Sequence, residues 1–273
     1  LESLGVRVKA INMEPGLFNR QVEPNEESLM YLSNKVRDSN VEFAAGFDCD
    51  ADRVEIVTKK GIVSGNAILA LISDDILKKS NNKSIVVNNA TSQMVKEIAG
   101  RHKARYVETE VGEVNVVEKM YSLKAPIGGE GSSSRCNNPP SRCRDGILTL
   151  IYLLKILAKS GKKLEVLIEG LPQYHNLKRK ISIGSDKYHN LKTQLRKSYE
   201  KKGYKVLTPK NAQSLKIALS SNSNVWFRVS RTESNILRII ADAKELDQAE
   251  DIIEEALNLI RPHYQQDGRR NTM

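Results

Sequence analysis

The sequence predicts an α/β protein, with mixed α/β layered domains followed by a small α+β domain at the C-terminal end. Between residues 54 and 160, strand-like and helical segments alternate, which is typical of parallel strands in an α/β layer. After residues 171–172 the pattern changes to an amphipathic helix, three strand-like runs and a final helix. A length of 273 residues, 40% of them hydrophobic, is enough for about two packed domains.

Capping residues and alternation predict the first elements. Asn25 opens a helix over residues 24–38, and two glutamates in its first turn complement the helix dipole. Residues 8–12 are expected to form a strand that follows the end of a helix. Residues 54–57 alternate as a strand does, and Asn66 is expected to cap the helix that comes next.

Apolar runs, helical periodicity and breakers predict the remaining elements. Strands are expected at 84–88 and 106–107, with helices near 92–99, 114–120 and 147–158. The C-terminal part should hold helices at 185–202 and 246–260 and strands at 215–219, 225–229 and 237–241. Gly161 and Pro262 are expected to end the helices that precede them. A domain boundary is expected near residues 173–182.

Composition narrows the class of protein. The 43 lysines and arginines exceed the 33 acidic residues by ten, but they are spread along the chain and aromatic residues are only 5%. This pattern argues against nucleic-acid binding and leaves open a solvated basic surface or a cationic cleft that attracts an anionic substrate. The longest apolar run, 147–154, is too short to span a membrane. Three cysteines without a Cys-x-x-Cys pair, and no secretory signal, indicate a reducing, cytoplasmic compartment.

The most informative motif is a row of three carboxylates, Asp48, Asp50 and Asp52, just before a strand. Such groups repel one another unless a cation holds them, and hard oxygen ligands favour Mg²⁺ or Ca²⁺. A calcium-binding EF-hand loop is excluded, because Arg53 and Lys59 stand where glycine and glutamate are needed. A solvated acidic turn remains the alternative.

Two further segments suggest a sugar phosphate as ligand. Residues 128–134 read Gly-Gly-Glu-Gly-Ser-Ser-Ser, in which Glu130 and the serines could bind sugar hydroxyls, although such loops also serve as flexible linkers. Residues 228–233, with Arg238 beyond them, place arginines and hydroxyls directly after a strand. This chemistry suits phosphate, and the alternative is a surface hairpin.

In this order, the three motifs resemble those of the α-D-phosphohexomutase family. The metal loop Asp-Gly-Asp-Ala/Gly-Asp-Arg matches residues 48–53 with Cys49 in place of glycine, and the sugar loop matches at 128–130. The phosphate loop matches at Arg228, Ser230, Thr232 and Glu233. The resemblance covers essentially the whole chain. It implies a fold of four domains. Residues 1–57 would be the end of the second domain, residues 58–175 the third domain, and residues 176–273 the fourth.

The resemblance also implies a reaction and its residues. Family members move phosphate between C6 and C1 of a hexose through a bisphosphate intermediate and a phosphoserine in the first domain. By analogy, Mg²⁺ would be bound by Asp48, Asp50 and Asp52, with Arg53 near the transferring phosphate. The substrate, a hexose phosphate, would be bound by Gly129, Glu130, Ser132, Arg228, Ser230 and Thr232.

The departures from the family pattern leave alternatives open. The nucleophile motif Thr-Ala-Ser-His-Asn-Pro is absent, and none of the four histidines follows a serine. The first domain is therefore expected to be missing from these residues. It is expected to be their protein partner, and without it these residues are expected to be inactive. A non-catalytic phosphosugar-binding protein is one alternative. A Mg²⁺-dependent phosphatase with Asp48 as nucleophile is another, although Asp52 stands where that class has threonine. The hexose and the oligomeric state stay undetermined.

Overall fold

The computed structural model describes residues 1–17, 19–131, 135–137, 143–184, 187–230 and 233–264. It divides the chain into two compact units, unit 1 (Leu1–Pro172) and unit 2 (Gln173–Met273). The change of unit falls at the start of the stretch expected to hold the boundary. None of the described helices is both long and apolar enough to cross a bilayer.

Unit 1 begins with a helix and a small antiparallel sheet. These elements are α1 (Glu26–Arg37), β1 (Ala44–Phe47), β2 (Val54–Thr58) and β3 (Gly61–Val63), with strand order β1-β2-β3. Asn25 caps α1, because its side chain accepts the Ser28 N–H and the Ser28 hydroxyl accepts the Asn25 N–H. Leu29 and Leu32 of α1 then pack against Val57 of β2.

The prediction of a strand at residues 8–12 is wrong. Apart from a short 3₁₀ helix at Glu2–Leu4, the described residues before α1 form no helix or strand. Asn12 has a φ of 56°, a left-handed conformation that extended strands do not use. Val8 and Ile11 are exposed, so these apolar side chains do not form the buried face of a strand.

The larger part of unit 1 is an α/β layer. Its elements are α2 (Gly65–Lys79), β4 (Ser84–Asn88), α3 (Gln93–Arg101), β5 (Arg105–Thr109), α4 (Glu113–Leu123), β6 (Ile127–Glu130), β7 (Arg135–Asn137), α5 (Gly146–Ser160) and α6 (Leu164–Glu169). Strand order is β5-β4-β6-β7, with β4 parallel to both neighbours and β7 antiparallel. The two crossovers from β4 to β5 and from β5 to β6 run in opposite directions, so right-handed connections place α3 and α4 on opposite faces.

This layer confirms the predicted fold class and corrects two details. Strand β2 belongs to the antiparallel sheet, so the parallel arrangement starts only at β4. The cap of helix α2 is Ser64, two residues before the expected Asn66: the Ser64 hydroxyl accepts the Asn66 N–H, and Asn66 lies buried inside the helix. The Asn66 side chain instead accepts the Ser92 N–H at 3.0 Å and so connects α2 to the loop before α3.

Unit 2 is the expected α+β domain. Its elements are β8 (His175–Ser182), α7 (Tyr188–Lys201), β9 (Lys205–Val206), β10 (Leu215–Ala218), β11 (Asn224–Val229), β12 (Ile236–Ala243) and α8 (Leu246–Tyr264). The antiparallel order is β8-β12-β11-β10-β9. Pro262 does not stop α8 at once: its missing N–H removes one helical hydrogen bond, and the helix ends two residues later at Tyr264. Both helices pack on one face of the sheet.

Tyr199 lies at the centre of the unit 2 core. Its side chain is fully buried, and its ring lies 6.2 Å from that of Phe227 and 6.1 Å from that of Tyr204 between centroids. Its hydroxyl has no hydrogen-bond partner among the described residues. Burial, with a smaller effect of the nearby Glu255, raises the pKa of this phenol. Burial at this position therefore stabilises the apolar ring of Tyr199 but carries an energetic cost for its unpaired hydroxyl.

We expect Tyr199→Phe to raise the free energy of unfolding by about 1 kcal/mol, because it removes a buried unpaired hydroxyl. Tyr199→Ala should lower it by about 3–5 kcal/mol through loss of the ring. Urea unfolding followed by the fluorescence of Trp226, the single tryptophan, measures both in unit 2. The free energy of unfolding of the wild type, relative to Tyr199→Phe, should fall further as the pH rises above the ordinary phenol pKa of 10.0. The phenol then ionises only in the unfolded state. A less stable Tyr199→Phe variant would show that the hydroxyl is satisfied.

Candidate functional site

The three predicted metal ligands converge on the connection between β1 and β2. One carboxylate oxygen each from Asp48, Asp50 and Asp52 lies within 4.8 Å of the others. Asp48 is buried, Asp50 is exposed and Asp52 lies between these extremes. Three hard anionic oxygens at this spacing, one of them open to solvent, suit Mg²⁺ better than a softer metal. The donor set therefore fits the expected ion.

Arg53 holds the buried carboxylate of this metal loop, residues 48–53. Its Nε pairs with Asp48 Oδ2, and its backbone N–H donates to Asp48 Oδ1 at 3.1 Å. Its Nη1 lies 2.7 Å from Glu23 Oε1. Burial acts to lower the pKa of the guanidinium, but the hydrogen bond and charge of Asp48, together with Glu23, outweigh it and raise that pKa. Arg53 thus remains a fixed cation beside the carboxylates.

Arg144 is a second cation at the metal loop, and sequence reasoning missed it. Its Nε donates to Asp52 Oδ2 at 2.6 Å, although 92 positions separate the two residues. The Asp145-Gly146 pair that follows it starts α5, and Gly146 donates its N–H to the Ala51 carbonyl at 3.0 Å. A Cβ on Gly146 would come within 2.7 Å of that oxygen, so only glycine permits this approach. The Arg-Asp-Gly sequence was the available signal.

The predicted sugar loop lies at the end of β6, at the carboxyl edge of the parallel sheet. Gly129 is buried, and Glu130 is only 2% exposed. Glu130 Oε1 accepts hydrogen bonds from Asn88 Nδ2 at 3.0 Å and from the Gly112 N–H at 3.1 Å. These partners end β4 and precede α4, so the carboxylate connects the loops that follow all three parallel strands. Ser132 lies outside the described residues.

This edge is the expected place for a ligand in such a sheet. The crossovers from β4 and β5 lead to opposite sides of β4, which creates a crevice between β4 and β6 at their carboxyl ends. Asn88 stands at that point and is fully buried. Its Oδ1 accepts the Ala90 N–H at 3.1 Å and the Thr91 hydroxyl at 3.0 Å. Asn88 and Gly112 were not predicted, since their importance depends on long-range pairing.

The predicted phosphate loop follows β11 in unit 2. Arg228, 8% exposed, lies opposite Arg238 of β12, which lies opposite Lys180 of β8. Like charges in direct opposition repel, and Glu233 offsets them by contacting Lys180 Nζ at 2.7 Å and Arg238 Nη2 at 2.5 Å. The hydrogen bonds from Lys180 and then Arg238 lower the pKa of the Glu233 carboxyl.

Ser230 connects the phosphate loop to both strands. Its N–H donates to the Ile236 carbonyl at 2.7 Å, and its hydroxyl accepts the Glu233 N–H at 3.1 Å. A serine hydroxyl can both accept and donate a hydrogen bond, which is the chemistry that a phosphate oxygen needs. Thr232 lies outside the described residues. Of the predicted residues, the metal loop and the sugar loop thus lie in unit 1, and Arg228 and Ser230 lie in unit 2.

Comparisons with known proteins find similarity to phosphoglucomutases, phosphomannomutases and phosphoglucosamine mutases. Residues 64–174 match the family profile for phosphoglucomutase/phosphomannomutase, alpha/beta/alpha domain III. A phosphoglucomutase/phosphomannomutase of Thermococcus kodakarensis is 32% identical over 263 residues, which cover 95% of this chain and 56% of the relative. A probable phosphoglucosamine mutase of Methanosarcina barkeri is 34% identical over 266 residues, covering 94% of this chain and 58% of the relative.

The fold shows the same relationship. The crystal structure of a phosphoglucomutase/phosphomannomutase family protein from Burkholderia thailandensis superposes with a TM-score of 0.74 at 20% identity, over 88% of this chain and 50% of that one. The chain thus spans about half the length of the relatives it matches. Sequence and fold agree along nearly the whole chain, and the protein belongs to the α-D-phosphohexomutase family.

Proposed function

We propose that this chain provides the metal-, sugar- and phosphate-binding parts of a phosphohexomutase, an enzyme that moves phosphate between C6 and C1 of a hexose through a bisphosphate intermediate. The observation that carries the proposal is the convergence of three carboxylates within 4.8 Å, flanked by two arginines. The domain assignment 1–57, 58–175 and 176–273 is part of the proposal, and the family match at 64–174 supports its second part.

The residues of unit 1 divide the work of phosphoryl transfer. Asp48, Asp50 and Asp52 would hold Mg²⁺, which supplies charge neutralisation for the migrating phosphoryl group. Arg53, held by Asp48, would orient the oxygens of that group. Glu130, fixed by Asn88 and Gly112, would shape the pocket for the sugar hydroxyls together with Gly129 and Ser132. The nucleophilic serine would come from the first domain of the family pattern, whose Thr-Ala-Ser-His-Asn-Pro motif is not among these 273 residues.

Unit 2 would bind the phosphate that does not react. The guanidinium of Arg228 can bind two phosphate oxygens at once, and the hydroxyls of Ser230 and Thr232 can donate to the others. The relatives are named for glucose, mannose and glucosamine phosphates, so a hexose phosphate is the proposed substrate class. The three cysteines include no Cys-x-x-Cys pair, which suits the reducing cytoplasmic location that we propose.

Two other functions are weighed against this one. A non-catalytic phosphosugar-binding protein is the second candidate, because the 273 residues contain no Ser-His pair. A Mg²⁺-dependent phosphatase would need Asp48 as nucleophile. The Asp48 side chain is buried and paired with Arg53, which removes the freedom that an attacking carboxylate requires. The geometry therefore disfavours the phosphatase.

The metal proposal predicts that Asp50→Asn weakens Mn²⁺ or Mg²⁺ binding about tenfold or more, because one of three anionic ligands is lost. Asp50 is exposed, so the fold should survive. Asp251→Asn, which also removes one exposed carboxylate but on α8, is the matched control and should bind as the wild type does. Calorimetric titration gives both affinities. Equal affinities for wild type and Asp50→Asn would contradict the assignment.

The phosphate loop predicts a large difference between two cations. Arg228→Ala should cost about 1.5–3 kcal/mol of glucose 6-phosphate binding, the scale of hydrogen bonds to charged groups. Lys201→Ala removes an exposed cation at the end of α7 and should cost almost nothing, because an exposed charge is well screened. Isothermal titration compares the two variants with the wild type. If both substitutions cost the same, binding is diffuse electrostatics and the loop assignment is wrong.

An activity assay distinguishes a chain that only binds metal, sugar and phosphate from one that completes the mutase reaction. A polypeptide of residues 1–273 alone should not convert glucose 1-phosphate or mannose 1-phosphate, because no Ser-His nucleophile pair is present. A coupled assay that detects the 6-phosphate product measures this against a buffer control. Clear turnover by the pure polypeptide would show that another group accepts the phosphoryl.

A further inference from the structure

The start of helix α4 lies between the metal loop and the sugar loop. The Gly112 N–H donates to Glu130 Oε1 at 3.1 Å, on the sugar side. The next residue, Glu113, accepts the Arg144 N–H, and its Oε2 lies 3.3 Å from Arg144 Nε. Arg144 in turn donates to Asp52 Oδ2 at 2.6 Å, on the metal side. A continuous chain of polar contacts therefore runs from a metal ligand to the sugar-loop carboxylate.

The members of this chain are restrained. The side chains of Arg144, Glu113 and Asp52 are 26%, 24% and 18% exposed, so solvent screens their pairing less than at an open surface. Gly112 has a φ of 132°, a conformation that other residues rarely adopt, and this fixes where α4 begins. A shift of Glu113 would thus move the Gly112 N–H that holds Glu130.

We propose that Arg144 and Glu113 are positioning residues that couple the metal loop to the sugar loop. Arg144 holds Asp52 in the orientation that a divalent cation needs, and Glu113 transmits the same restraint to Gly112 and Glu130. The naming of the two ligands rests on the proposed function, whereas the mechanical coupling rests on the contacts alone. Occupancy of one loop should then change the other.

Two views of Arg144 predict opposite effects on metal affinity. If Arg144 acted only through its charge, removing that charge would strengthen the binding of a cation to Asp52, because like charges repel. If Arg144 positions Asp52, its loss weakens metal binding. Arg144→Lys separates charge from geometry further. Lysine keeps the charge but cannot place two nitrogens against Asp52 Oδ2, as the Nε and Nη2 of Arg144 do.

The coupling is tested first without any ligand, by NMR amide hydrogen exchange of the whole chain. In Arg144→Lys, the Arg53 and Gly112 amides should exchange about tenfold faster than in the wild type, the effect of losing one charged hydrogen bond. The Gly112 amide is decisive, because its partner is Glu130 and not Arg144. Arg101→Lys, at an exposed arginine of α3, is the matched control and should change neither amide.

Glu113→Gln should likewise speed exchange at both amides, and unchanged exchange at Val86 in β4 would show that both variants fold. Mn²⁺ titration should show about tenfold weaker binding to Arg144→Lys than to wild type. Wild-type exchange at Gly112 in both folded variants would overturn the coupling. Faster exchange at Gly112 without any Mn²⁺ binding by the wild type would support the coupling and count against the metal part of the proposed function.

Discussion

Three carboxylates that share a space of 4.8 Å cannot remain together without positive charge, and two arginines provide it here. Arg53 comes from the metal loop itself and pairs with Asp48. Arg144 comes from the far end of unit 1 and pairs with Asp52. Because Arg144 also contacts Glu113, neutralising the loop fixes the start of two helices, α4 and α5, relative to the β1–β2 connection. The charge of the loop thus organises the unit around it.

Unit 2 uses the same principle with the signs exchanged. Three cations, Lys180, Arg238 and Arg228, face one another across adjacent strands, and Glu233 offsets two of them. In both units, opposite charges within the chain thus hold a cluster of like charges together. The two proposed ligands, a divalent cation and a phosphate monoester, each carry the charge opposite to the cluster that would bind them.

Local sequence signals predicted the periodic elements and the site motifs, and failed where long-range pairing decides. Alternation and caps located β4, α3 and α5, because each carries its own apolar pattern. Strand β6 was missed, since Ile-Gly-Gly-Glu has little strand propensity and forms a strand only by pairing with β4. The role of Arg144 was equally invisible, because its partner Asp52 is 92 positions away.

The central claim is that the metal loop binds a divalent cation through three aspartates. The most direct measurement is an anomalous difference map from crystals of this chain soaked with Mn²⁺. We expect a peak bonded to oxygens of Asp48, Asp50 and Asp52, at the distances of about 2.0–2.2 Å that an octahedral ion of this size requires. An ordered Mn²⁺ bound elsewhere, with Asp48 still paired with Arg53, Asp52 still paired with Arg144 and no ion between the three carboxylates, would contradict the claim.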